Sequence, residues 1–146
     1  MGLFGSKEDV EDMMYNAMSL LEKNQPKGAI PIFTKILKQE PKNTAALYNK
    51  GLALNQIKKY SDAVTCFDLL LEISPKDAAT INNKGIAMAE LGNIQGASEC
   101  YDKAIEVDPK YGPSYFNKGV LLDKLQEHEE ALNCFEKAIQ VSPGKP

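Results

Sequence analysis

Residues 78–111 read AATINNKGIAMAELGNIQGASECYDKAIEVDPKY, and the residues that stand out in this stretch return at one interval before and after it. Asn83-Lys84-Gly85 is repeated as Asn49-Lys50-Gly51 and as Asn117-Lys118-Gly119, each tripeptide 34 residues from the next. Ala97 has counterparts in Ala29, Ala63 and Ala131, Tyr101 in Phe33, Phe67 and Phe135, and Pro109 in Pro41, Pro75 and Pro143. A fixed period of this length means that one supersecondary unit, unable to bury its own apolar face, is stacked several times over. Numbering the unit so that Gly85 takes place 8 starts the copies at Val10, Thr44, Ala78 and Gly112. The chain then divides into 10–43, 44–77, 78–111 and 112–145, behind a short N-terminal extension, 1–9.

Each unit reads as two helices. Leu47, Gly51 and Leu54 follow one another at spacings of four and three, as do Ala63, Phe67 and Leu70, and each set marks one face of a helix with 3.6 residues per turn. Asn43 and Asp77 are predicted to cap the first helices that follow them, and Pro75 and its counterparts to stop the second. Gly51 and Ala63 leave room for the paired helices to approach, while Phe67 supplies bulk for the next layer.

Glycine at place 8, alanine at 20, phenylalanine or tyrosine at 24 and proline at 32 together resemble the tetratricopeptide repeat, from about Val10 to Lys145. The resemblance implies an all-α fold, a right-handed α-α superhelix or solenoid of four helical hairpins. Ala17 departs from the pattern by replacing the glycine of the first unit. Leu47 and Tyr115 stand where the family favours tryptophan, and Ile36 and Leu70 replace the small residue at place 27.

Composition narrows the function. At 146 residues the chain is one domain's length. Seventeen basic residues, all lysine, face twenty acidic ones for a net charge of −3. Nucleic-acid binding is not expected, because it needs a basic excess and draws on the planar fork of arginine. Hydrophobic residues at 43% and charged residues at 25% suit a soluble globular domain and give no membrane-spanning run. The N-terminal MGLFGSKEDVEDMM lacks the apolar run of a secretory signal, so a cytoplasmic location is expected. Met1-Gly2 with Ser6 fits the loose pattern for N-myristoylation, and one acyl chain would anchor only marginally.

The period also explains the residues that tempt a chemical assignment. Cys66, Cys100 and Cys134 all fall at place 23. Stacked helices lie about 8–10 Å apart, whereas a disulfide needs Cα atoms within about 7 Å and zinc needs its ligands at about 2.3 Å, so reduced packing cysteines are expected. His128 falls at place 17, like Pro26, Tyr60 and Ile94, and is read as covering the loop into the last helix. No nucleophile, base or phosphate loop is spaced beside it. Glu99, Glu106, Glu127, Glu129 and Glu130 read as solvated helix faces and helix-start charges. Neither an enzyme nor a cofactor is expected. Lys50, Lys84 and Lys118, at place 7, are predicted to bury their methylene stems and send the ammonium outward. A phosphate-binding ladder is the sharper alternative, opposed by the acidic surplus.

The resemblance implies that the first helices line a concave groove, with places 2, 5, 6, 9, 12 and 13 facing it. These places hold Met14, Tyr15 and Met18, then Tyr48, Asn49, Leu52, Asn55 and Gln56. The third unit adds Asn82, Asn83, Ile86, Ala89 and Glu90, and the fourth Phe116, Asn117, Val120 and Asp123. Apolar anchors mixed with amides suit a peptide segment of a partner protein, although Asn49, Asn83 and Asn117 equally suit the satisfaction of neighbouring polar groups. The carboxylate-clamp members of the family place lysine and asparagine in a fixed pattern. Units one to three offer Met14, Met18, Asn49, Ala79 and Asn83 there, and units two to four Tyr48, Leu52, Asn83, Pro113 and Asn117. One match in five disfavours that role, since a bound carboxylate would lack its cationic partners. The alternative function is self-association. The sequence runs from the last repeat helix straight into Pro143 and Pro146, which leaves Leu132, Phe135 and Ile139 without an expected cover and makes a homo-oligomer through the C-terminal helix the second reading.

Overall fold

Side-chain caps open three of the four first helices, the one that begins at Gly112 being the exception. Asp9, Asn43 and Asp77 each accept a backbone N–H with a side-chain oxygen, from Glu11, Ala46 and Thr80, at 2.9, 2.9 and 3.2 Å. The computed structural model describes residues 9–142. The helices run α1 Val10–Glu22, α2 Pro26–Gln39, α3 Thr44–Gln56, α4 Tyr60–Ile73, α5 Ala78–Glu90, α6 Ile94–Val107, α7 Gly112–Lys124 and α8 His128–Val141. The described residues contain no strand. α2, α4 and α6 each end two residues before the repeated proline, as Pro41, Pro75 and Pro109 dictate. Met1, Gly2, Ser6 and Pro143 lie outside the described residues.

The turn inside each repeat is closed the same way four times. Asn24, Lys58, Gly92 and Gln126, all at place 15, have φ of 57, 65, 85 and 64°. At each, the left-handed residue donates its N–H to the carbonyl three back and the next residue to the carbonyl five back, as in Asn24 to Leu21 and Gln25 to Leu20. This is the Schellman closure, and it satisfies carbonyls that a helix end leaves unpaired. Only one of the four positions is glycine, so the recurring turn carries no recurring residue.

The chain forms two compact units that meet within α4, one through Cys66 and one from Phe67. In the first, α1 packs on α2 and α2 on α3, around Met13, Ala17, Ala29, Phe33, Ile36 and Ala46. Ile36, one of the departures from the small residue at place 27, is fully buried there. In the second, α5 packs on α6, α6 on α7, α7 on α8 and α5 on α7. Its core holds Ala78, Ile81 and Ala104 in one cluster and Ala97, Tyr101 and Leu121 in another. The aromatic at place 24 therefore serves its own hairpin as well as the next layer. An added methyl on Gly85 would lie 2.7 Å from Cε1 of Tyr101, and one on Gly119 2.7 Å from Cε1 of Phe135.

Two expectations are refined by geometry. The ammonium groups of Lys84 and Lys118 do not run free into solvent, for each pairs at 2.7 Å with an aspartate on the preceding second helix, Asp68 and Asp102. The hydrogen bond from Lys118 to Asp102 raises the lysine pKa. His128 begins α8 from an exposed position, its Nδ1 2.7 Å from Oδ1 of Asp123, and so ties the α7–α8 turn rather than covering it. Tyr115, in the place where tryptophan was expected, donates its hydroxyl to the carbonyl of Pro109 at 2.9 Å.

Candidate functional site

The most complete candidate site lies on the first-helix face of the second unit. Ile86 and Ala89 of α5 and Asn117 and Val120 of α7 border a cavity of about 140 Å³, with Tyr101 and Ile94 of α6 behind them. The helical spacing explains the assembly. Ile86 and Ala89 are three apart, as are Asn117 and Val120, so each pair projects from one side of its helix. A cavity of about 150 Å³ accepts a benzene ring, so this one is sized for a single bulky apolar side chain. Its rim carries opposite charges at place 13, Glu90 from α5 and Lys124 from α7. Lys124 was not among the sequence-derived candidates, although it shares its place with Gln56 and Glu90. Burial pushes the Tyr101 phenol up to about 12, with Cys100 and Glu90 acting in the same direction. Tyr101 therefore stays neutral at the back of the site and presents no charge to a ligand.

The asparagines divide into distinct local roles. Asn49 donates from Nδ2 to the carbonyl of Ala45 and Asn83 to that of Ala79, both at 2.9 Å, along their own helices. Asn117 instead donates across helices to Oδ1 of Asn82 at 3.0 Å, and Asn82 is only 3% exposed. Asn82 thus supports Asn117 from below rather than standing at the surface. In the first unit Met14, Met18, Tyr48, Leu52 and Asn55 are half-buried, and Tyr15 is exposed. Met14 and Met18 pack against the Phe33 core, so their outer surfaces are held by a rigid base.

The remaining candidates gather at α8. Leu132 and Ile139 are 57% and 69% exposed. Phe116, placed with the groove by its position in the repeat, is exposed and meets Phe135 in a tilted ring contact, with centroids 5.6 Å apart and planes at 52°. The three cysteines are free thiols whose pKa values are raised chiefly by burial. Among the described residues no group of three His, Cys, Asp or Glu side chains is arranged to hold a metal ion, and no helix is long and apolar enough to cross a membrane.

Comparison with known proteins follows the same lines. A family model described as Psidin, N-terminal TPR repeats region, matches residues 14–115, and one described as tetratricopeptide repeat matches residues 113–145. No curated protein matches the sequence. Among solved structures, MamA 41-end from Desulfovibrio magneticus RS-1 is 25% identical, with a TM-score of 0.84 over 92% of this chain and 76% of that one. A MamA RS-1 ArsTM double mutant is also 25% identical, with a TM-score of 0.83 over 94% of this chain and 77% of that one. A further MamA crystal structure is 21% identical, with a TM-score of 0.82 over 92% and 78%. In all, 285 solved chains match, so the fold is widely shared and by itself selects no single partner. The period of 34, the four equivalent turns and the match across residues 14–115 lead to one conclusion: the chain belongs to the tetratricopeptide-repeat family.

Proposed function

We propose that the protein is a non-catalytic, cytoplasmic interaction scaffold that binds a peptide segment of a partner on its first-helix face. The observation that carries this reading is the cavity between α5 and α7, apolar inside and flanked by the Asn117 amide and the Glu90 and Lys124 charges. A bulky side chain of the peptide fills the cavity, Asn117 meets its backbone, and the two rim charges orient the residues on either side. Because Asn117 is already fixed by Asn82 and Met14 and Met18 by the core beneath them, little side-chain freedom is lost on binding. Met14, Met18, Tyr48, Asn49, Leu52 and Asn55 supply the corresponding contacts in the first unit. Assembly through α8 is the second reading, supported by the exposure of Leu132 and Ile139.

The test is peptide display. Peptides enriched from a random library on the native chain are expected to be lost by Val120→Glu and kept by Ile139→Glu. Retention by Val120→Glu, with its helical circular dichroism intact, rejects the first-helix face as the binding site.

A further inference from the structure

The outer face of α8 has the chemistry of a helix interface that no helix among the described residues covers. In α6, which α7 covers, Tyr101 is 3% exposed and Ala104 fully buried. At the same places in α8, Phe135 and Ala138 are only half-buried, and Ile139 beside them is exposed. Phe116 tells the same story from α7, being 53% exposed where its equivalent, Asn82, is 3% exposed and bonded to the next first helix. The decisive residue is Glu136. It occupies place 25, the place from which Asp68 and Asp102 each hold a lysine of the following first helix at 2.7 Å.

The two helices that fill this role in the second unit share a short pattern. Each carries a small, fully buried residue, Thr80 or Ser114, and four residues later a lysine that pairs with the helix before it, Lys84 or Lys118. We infer that α8 docks one amphipathic helix of a partner protein that carries a small residue and, one turn on, a lysine that pairs with Glu136. This inference rests on the assembly reading and names its occupant.

The first helix of a second copy does not fit. α1 carries Asp12 and Asn16 at the places of Ser114 and Lys118, and both line a polar recess with Asp9 and Lys35. Stacking α1 on α8 would put the Asp12 carboxylate into a seat that is fully buried at Thr80 and Ser114, with no lysine to meet Glu136. Charge therefore excludes α1 of a second copy as the occupant.

The probe is a lactam-stapled peptide of residues 112–124, labelled with a fluorophore and titrated into the whole protein. Binding is expected, with loss on Ile139→Glu. A peptide carrying Lys118→Glu is expected to bind about fivefold more weakly, the range of an exposed ion pair. Glu136→Lys in the protein should reverse that preference, favouring the glutamate peptide. Glu136 is exposed, so this variant keeps its fold. Binding that responds to Ile139→Glu but ignores both charge exchanges overturns the lysine-bearing occupant while leaving α8 a docking face. Absence of binding, or binding indifferent to Ile139→Glu, overturns the assembly reading as well. A concentration-dependent dimer that Ile139→Glu abolishes assigns the face to a second copy and overturns the partner helix.

Discussion

Gly85 and Gly119 exist because an aromatic ring needs the space of a methyl group. With Cε1 of Tyr101 or Phe135 at 2.7 Å from the added carbon, alanine forces the ring or the helix to move. Gly85→Ala is expected to lower stability by about 1–3 kcal/mol, measured by urea unfolding. Gly92 answers to a different demand. An added methyl meets nothing within 4 Å, so its cost comes from the backbone at φ +85° alone. Gly92→Ala should then cost about 1 kcal/mol, and Gln126→Gly, at the equivalent turn with φ 64°, should recover a similar amount. An unchanged midpoint in both variants would contradict the role assigned to these turns. Place 8 was legible in the sequence because its glycine recurs. Place 15 was not, because asparagine, lysine and glutamine fill three of its four copies and the same pair of turn hydrogen bonds closes around each of them.

Between helices, a lysine pairs with an aspartate, and the helix that carries the lysine holds a small buried residue one turn before it. The hydroxyls of Thr80 and Ser114 are fully buried there and lack a hydrogen-bond partner. Ala46 fills the same place in the first unit with no polar atom at all. Ser114→Ala is accordingly expected to hold or raise stability, by up to about 1 kcal/mol, since it removes an oxygen that was desolvated without compensation. A loss above that amount in thermal melts would show that the hydroxyl is satisfied in solution. The ion pairs add less. Asp102 is more than half exposed, so a double-mutant cycle on Lys118 and Asp102 should return about 0.5 kcal/mol and shrink in high salt. The helices, the caps Asn43 and Asp77 and the proline stops of α2, α4 and α6 were readable from the period, whereas the caps Asp9 and Asn93 were not read from it. The rung was readable in principle, because Asp68 and Asp102 stand 34 residues apart just as Lys84 and Lys118 do. It went unseen because lysine at the surface is read by default as solvated, and only the distance of 2.7 Å shows otherwise.

Over the whole molecule, alkaline pH acts through Tyr101 together with the buried thiols of Cys66, Cys100 and Cys134, whose pKa values are also raised, and Tyr101 supplies the part that sets in above pH 10. Its phenol is pushed up to about 12 in the fold, against about 10 for an unfolded tyrosine. Above pH 10 the unfolded chain gives up this proton while the folded chain keeps it, so stability falls as pH rises towards 12. Burial of one tyrosine thus sets an alkaline loss of about 2–3 kcal/mol in full, and urea unfolding of Tyr101→Phe should show a flatter profile between pH 10 and 12 than the native protein. An equal slope in both would remove Tyr101 from the account. The candidate site was less legible than the fold. The places identified Ile86, Asn117 and Val120, which do meet around one cavity, but the same rule could not tell that Asn82 lies beneath the surface or that Phe116 belongs with Phe135. Burial of a given place depends on whether another first helix follows, and that is a property of the neighbour. Recognition on the first-helix face is tested most directly by amide chemical-shift mapping by nuclear magnetic resonance, with a display-selected peptide added to the intact chain. Shifts centred on Ile86, Ala89, Asn117, Val120 and Lys124 are expected. Shifts confined to α8, or to the faces of α4 and α6 remote from that cavity, would contradict it.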